Sequence, residues 1–229
     1  MREHSSANEL LKPLMKGDGQ IRWREPSITG YLIAIPKGFS YNKYGIHDSA
    51  EMWELFKNDY PSIANWLDGF EQAKTRGEKG DFWWELRACN YYSKFSEPRI
   101  MYQKFPVTPC FVFSDRDLFC DDSVWMINAP NKALLTILNS KMGWWLIGKA
   151  CPRINGGHQL IWQQFKNVLI PRELPNSLVD VAEQILEGCK RGADTKELEQ
   201  KAEKLVYSAY GLSPEEIDLV NRTTDWKES

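Results

Sequence analysis

Residues 81–104, DFWWELRACNYYSKFSEPRIMYQK, place two tryptophans, a tyrosine pair and four cations (Arg87, Lys94, Arg99 and Lys104) in one short run. Rings at this density need a core to fill or a flat partner to stack on. The cations suit a polyanion. Adjacent Trp83 and Trp84 would point to opposite faces of a strand, so one is expected in the core and one nearer the surface. The run requires a folded body, and 229 residues suffice for a real core in one or two domains.

Ile21-Arg22-Trp23-Arg24 alternates like a half-exposed strand, and Tyr31–Ile35 reads as a buried one. Asn8–Lys16 is helical or extended, ended by Gly17-Asp18-Gly19, and 40–45 is a loop. A helix is expected over 49–58, capped by Asp48 or Ser49. A second starts at Pro61 and runs to about Thr75, with Ile63, Trp66, Leu67 and Phe70 on one face. Short strands follow near 99–104, 110–113 and 124–128. Then come a helix over 132–139, an apolar block at 144–147, a Gly-rich loop over 152–159 and a last strand at 168–171. This pattern predicts an α/β (α+β) domain with a mixed, mainly antiparallel sheet over 1–172. An acidic helical tail follows over 173–229, with Asn176 as a cap and capping boxes at Asp194–Glu197 and Ser213–Glu216.

The charge is segregated. Residues 173–229 hold 7 Lys/Arg against 13 Asp/Glu, while 1–172 hold 22 against 18. A basic body of this kind suits a polyanionic partner. The five cysteines show no CxxC spacing, which disfavours a zinc site or a disulfide framework. His4, His47 and His158 are far apart. No apolar run has membrane-spanning length and the first residues do not resemble a signal peptide, so no membrane partner and a cytoplasmic location are expected.

Nucleotide-binding glycine loops and a nucleophile elbow are absent from the sequence. Glu199-Gln200-Lys201 matches half of a nuclease metal site, but a surface ion pair accounts for it. Asp115, Asp117, Asp121 and Asp122 are better explained by turn chemistry. No catalytic constellation and no metal site emerge. What remains is a binding signature. Arg22, Arg24, Lys79, Lys104 and Lys149 are candidates for phosphate contacts. Arg87, Arg153, Asn155, His158 and Gln159 are candidates for reading base edges, and Trp84 for stacking. Two other classes stay open: a small metal-dependent nuclease using the aspartates and His158, and a protein-interaction module.

Leu10-Leu11-Lys12-Pro13, Ile21-Arg22-Trp23, Tyr31-Leu32-Ile33, Trp83-Trp84-Glu85-Leu86-Arg87, Pro98-Arg99-Ile100, Leu138-Asn139-Ser140-Lys141 and Val168-Leu169-Ile170-Pro171 occur in that order. With Leu205-Val206-Tyr207, Tyr210-Gly211-Leu212 and Glu215-Glu216-Ile217, the set resembles the TaqI-like C-terminal specificity domain over roughly residues 8–220. That domain is the target-recognition part of adenine-specific DNA methyltransferases and Type IIG restriction–modification enzymes. The resemblance implies an α/β domain that grips double-stranded DNA and supplies specificity to a methyltransferase/endonuclease domain or subunit. The catalytic Asn/Asp-Pro-Pro-Tyr/Phe motif of such enzymes is missing, and Asn128-Ala129-Pro130-Asn131 does not replace it. The resemblance therefore implies no enzyme activity and no cofactor in this chain, with S-adenosylmethionine and Mg used only by separate catalytic parts.

Overall fold

The computed structural model describes residues 7–17, 20–45 and 48–226. His4, His47 and the turn expected at Asp18-Gly19 lie outside them. In chain order the elements are α1 (Ala7–Leu10), β1 (Leu11–Met15), β2 (Gly30–Ile33), α2 (Phe39–Tyr44), α3 (Ser49–Asp59), α4 (Pro61–Asp68) and α5 (Glu71–Thr75), then a 3-10 turn (Tyr92–Ser96). Next come β3 (Arg99–Gln103), β4 (Val112–Ser114), β5 (Phe119–Cys120), β6 (Val124–Ile127), α6 (Lys132–Leu138) and α7 (Lys141–Ala150). The rest are β7 (Arg153–Ile154), β8 (Gly157–His158), α8 (Trp162–Phe165), α9 (Asn176–Lys190), α10 (Lys196–Ala209) and α11 (Pro214–Thr223). Small sheets form with orders β2-β1-β5, β4-β3-β6 and β7-β8, and the registered pairs β1–β2, β3–β4, β3–β6 and β7–β8 are antiparallel. The fold is α+β.

Two compact units divide the chain. The first comprises 1–14, 29–96 and 117–119, and the second 15–28, 97–116 and 120–229. The expected boundary at 172 does not separate them, because α9 and α10 pack with α6 and α7 inside the second unit. In the first unit Ile35, Met52, Phe56, Tyr60, Ile63 and Trp84 form one core. In the second, Ile100, Phe111, Leu135, Trp144, Leu160 and Ile185 form another.

Local signals explain many boundaries. Asp48 caps α3, accepting from Glu51 N at 2.8 Å. Pro61 opens α4. Ser213 and Glu216 form the expected capping box on α11.

Other expectations are corrected. Residues 21–24 form a turn, not a strand, with Trp23 buried at φ 65° and its N–H on Phe111 O at 3.4 Å. The loop expected at 40–45 is the helix α2. The buried strand expected over Tyr31–Ile35 is β2, which leaves Tyr31 65% exposed. The helix expected to reach Thr75 stops at Gly69 and restarts as α5. Trp83 and Trp84 sit in a turn, and 144–147 belongs to α7. No strand forms at 168–171. Asn176 is the first helical residue of α9 after a Pro175 cap, and Thr195, not a capping box, starts α10.

Candidate nucleic-acid interface

Trp83-Trp84-Glu85-Leu86-Arg87 is a structural knot of the first unit. Glu85 is fully buried, and its carboxylate accepts from Ser40 N (2.9 Å), Gly38 N (3.1 Å) and Asp81 N (2.9 Å). It thereby holds the start of α2 to the 80–81 turn, where charge-assisted acceptors are strongest. Trp84 is 2% exposed, lies 4.7 Å from Phe82 in a stacked pair, and donates its indole N–H to Ser40 Oγ at 2.9 Å. It offers no face for stacking on a base, contrary to the sequence expectation. Arg87 is exposed and pairs with Glu78 at 2.9 Å. Lys79 is exposed.

The remaining candidates belong to the second unit. Its most distinctive feature is the β7–β8 hairpin, where a Gly-rich loop was expected. Asn155 (φ 48°) and Gly156 (φ 82°) are both left-handed, as a two-residue hairpin turn of the Asn-Gly type requires. Register pairs Arg153 with His158 and Ile154 with Gly157. Gly157 is required by close approach, since a Cβ there would meet Pro106 O at 2.0 Å. The His158 N–H bonds that same oxygen at 3.0 Å, and Leu160 N–H bonds Lys104 O at 2.9 Å. The hairpin base is thus fastened to 104–106, and its turn is exposed.

Asp225, just past α11, organises the base of this hairpin. Its carboxylate accepts from Trp144 Nε1 at 2.9 Å, pairs with Arg153 Nη1 at 2.9 Å and lies 3.4 Å from His158 Nε2. His158 is buried, edge-on to Trp144 at 5.0 Å, so it is not available to a base edge and does not join the aspartates in a nuclease site. Arg153 stays 63% exposed at its side chain, and Asn155 is exposed beside it. Gln159 is half-buried, its N–H on Pro152 O at 2.9 Å.

Arg22 is committed internally. It donates to Asn139 O at 3.1 Å, pairs with Glu199 at 2.7 Å and lies 4.4 Å over the Trp226 ring. Glu199 is therefore an ion-pair partner, but of the distant and partly covered Arg22 rather than of a neighbour on its own helix face. Arg24 is exposed. Lys149 is exposed with its ammonium 4.9 Å over Trp145, and Lys104 is half-buried, 5.9 Å over Trp125. Asp121 accepts from Ser123 N at 3.0 Å, which is turn chemistry, and Asp117 pairs with Lys12 at 2.9 Å. The sequence reading missed Asp225 and Trp226, for which it carries no spacing signal.

Formal charge sharpens the picture. The first unit holds 10 Lys/Arg against 12 Asp/Glu. The second unit without 173–229 holds 12 against 6, a net of +6. Among the described residues no helix is long and apolar enough to cross a membrane.

No protein-family model matches the chain, and no curated protein matches it. Among solved structures, it is similar to the Type IIL restriction–modification enzyme MmeI in complex with DNA, with a TM-score of 0.54 at 10% identity. The match covers 96% of this chain and 30% of that one, so the chain spans under a third of that enzyme's length. At this identity the likeness is one of fold: the chain is built like part of a restriction–modification enzyme.

Proposed function

We propose that the chain is a DNA target-recognition module of a restriction–modification system, supplying specificity to an adenine DNA methyltransferase/endonuclease domain or subunit. The observation that carries this reading is the basic sheet half of the second unit, with Arg153 and Asn155 exposed on a hairpin fastened at its base to 104–106. Its fold likeness to an enzyme solved with DNA supports the same reading. Arg24, Lys104 and Lys149 hold phosphates, while Arg153, Asn155 and Gln159 meet base edges. Lys79 and Arg87 of the first unit supply further backbone contacts. The chain itself performs no chemistry; S-adenosylmethionine and Mg act in the catalytic partner, and the assembly works in the cytoplasm.

The test is binding to random and site-bearing duplex DNA at two salt concentrations, alone and with a methyltransferase subunit. Salt-sensitive binding that becomes site-selective with the partner is expected. Binding that is absent in both cases, or indifferent to salt, refutes the proposal.

A further inference from the structure

The first unit contains a half-open cavity of about 570 Å³, within the range of small-molecule sites, which run to roughly 300–1,000 Å³. Its wall combines Leu11, Ile33, Ile63 and Leu67 with the rings of Tyr31, Trp66 and Phe70. Those three rings are 65%, 59% and 44% exposed, an unusual cost for large apolar side chains. Trp66, in the last turn of α4, and Phe70, just before α5, are stacked on each other at 5.3 Å.

The same wall holds two buried polar atoms, Ser62 Oγ and Arg76 Nε, which make no hydrogen bond. Arg76 is otherwise engaged: its Nη2 donates to Trp83 O at 3.1 Å and to Glu85 O, so the guanidinium is fixed in place. A buried donor without an acceptor is costly, and an acceptor brought in from outside removes that cost. The unit is net negative, 10 cations against 12 acids, which disfavours a polyanion as occupant.

We infer that this cavity binds a small planar aromatic molecule carrying a hydrogen-bond acceptor. The ring packs against Trp66 and Phe70, and a turn of the Ser62 side chain gives the acceptor its bond. The inference does not rest on the DNA-binding reading proposed above.

The full chain is titrated with 8-anilinonaphthalene-1-sulfonate, an aromatic anion whose fluorescence rises in apolar sites. One saturable site is expected. Adenosine and N-acetyltryptophanamide are then added as competitors, representing a free heterocycle and an aromatic side chain; displacement by adenosine supports the site, and displacement by neither, or by N-acetyltryptophanamide alone, overturns it. Decanoate, an apolar chain without a ring, is expected not to displace the dye. Trp66→Ala weakens dye binding about tenfold, as the loss of one aromatic contact requires, while Trp66→Phe keeps it. Ser62→Ala, a mild change at a half-buried position, weakens the competitors a few-fold. Dye binding that is absent, that survives Trp66→Ala unchanged, or that decanoate reverses as well as the aromatic competitors, overturns the inference.

Discussion

The Glu85→Gln substitution tests whether one buried carboxylate organises the first unit. In the wild type its two oxygens receive three backbone N–H groups, from Gly38, Ser40 and Asp81. An amide keeps only one acceptor oxygen. Its best orientation leaves that oxygen on Gly38 and Asp81 and turns the NH2 group toward Ser40 N–H. The Ser40 N–H and the NH2 group then face each other without acceptors, which costs at least about 1–3 kcal/mol. The two surviving bonds lose their charge assistance, worth about 1 kcal/mol each. Relief from burying a charge offsets part of this, so the net loss is about 2–4 kcal/mol. Urea denaturation followed by tryptophan fluorescence measures it as a lower midpoint. A change below about 0.5 kcal/mol, the usual scale of a surface substitution, would refute the reasoning. Ser40→Ala is the companion variant. It strands the Trp84 indole N–H and is expected to cost about 1–3 kcal/mol.

Three further outcomes are expected. Gly157→Ala, whose Cβ would overlap Pro106 O, should displace the β7–β8 hairpin; the measurement is a lowered thermal midpoint together with weakened DNA binding. Lys149→Ala should cost no more than about 1 kcal/mol of stability, from its contact with Trp145, and weaken binding alike for all DNA sequences, reducing the salt slope by about 1. Burial pushes the Cys110 and Cys120 thiols up to about 12 and Cys151 up to about 11, so these three should resist iodoacetamide at pH 8 until the protein is unfolded. Because the folded state holds those protons more tightly, the associated stability is complete below the ordinary thiol range. It falls as pH rises from about 9 toward the raised values, which a pH series of urea midpoints checks.

How much of this was legible depends on whether the signal is local. Asp48, Pro61 and the Ser213–Glu216 pair act within one helical turn, and each marked its helix start in the sequence. The Asn155-Gly156 turn was equally local, yet its strands are two residues each, too short for an alternation pattern to stand out. Trp23 defeated the pattern differently. Apolar-basic alternation suggested a strand, but a tertiary hydrogen bond to Phe111 O and burial of the ring impose a left-handed turn. The Trp83–Arg87 string stands out in the sequence, but the fold uses it for packing rather than for contact with a partner. Its rings and carboxylate are spent on the α2 connection, a partner 44 to 47 residues away that no spacing in the string announces.

The charge segregation likewise depends on long-range pairing. A basic body and an acidic tail look like two separate fields in sequence. In the fold they partly cancel, through Arg22–Glu199, Lys132–Glu183 and Arg153–Asp225. Arg116 is also paired, with Glu25, and Arg99 is buried. Among the described residues of the basic half, Lys16, Arg24, Lys104, Lys149, Lys166 and Arg172 make no ion pair. If these six supply the phosphate contacts, log K against log salt falls with a slope no steeper than about 5 for duplex DNA. Lys79 of the first unit, also exposed, raises the limit to about 6, and a clearly steeper slope means that DNA breaks internal pairs on binding. The exposed Arg153–Asp225 pair is the first expected to yield, because such contacts hold by only about 0–1 kcal/mol. Asp225→Asn separates the cases. It should steepen the slope by about 1 if Arg153 is held back from phosphate by Asp225. It should leave the slope unchanged if Arg153 reads a base edge rather than a phosphate.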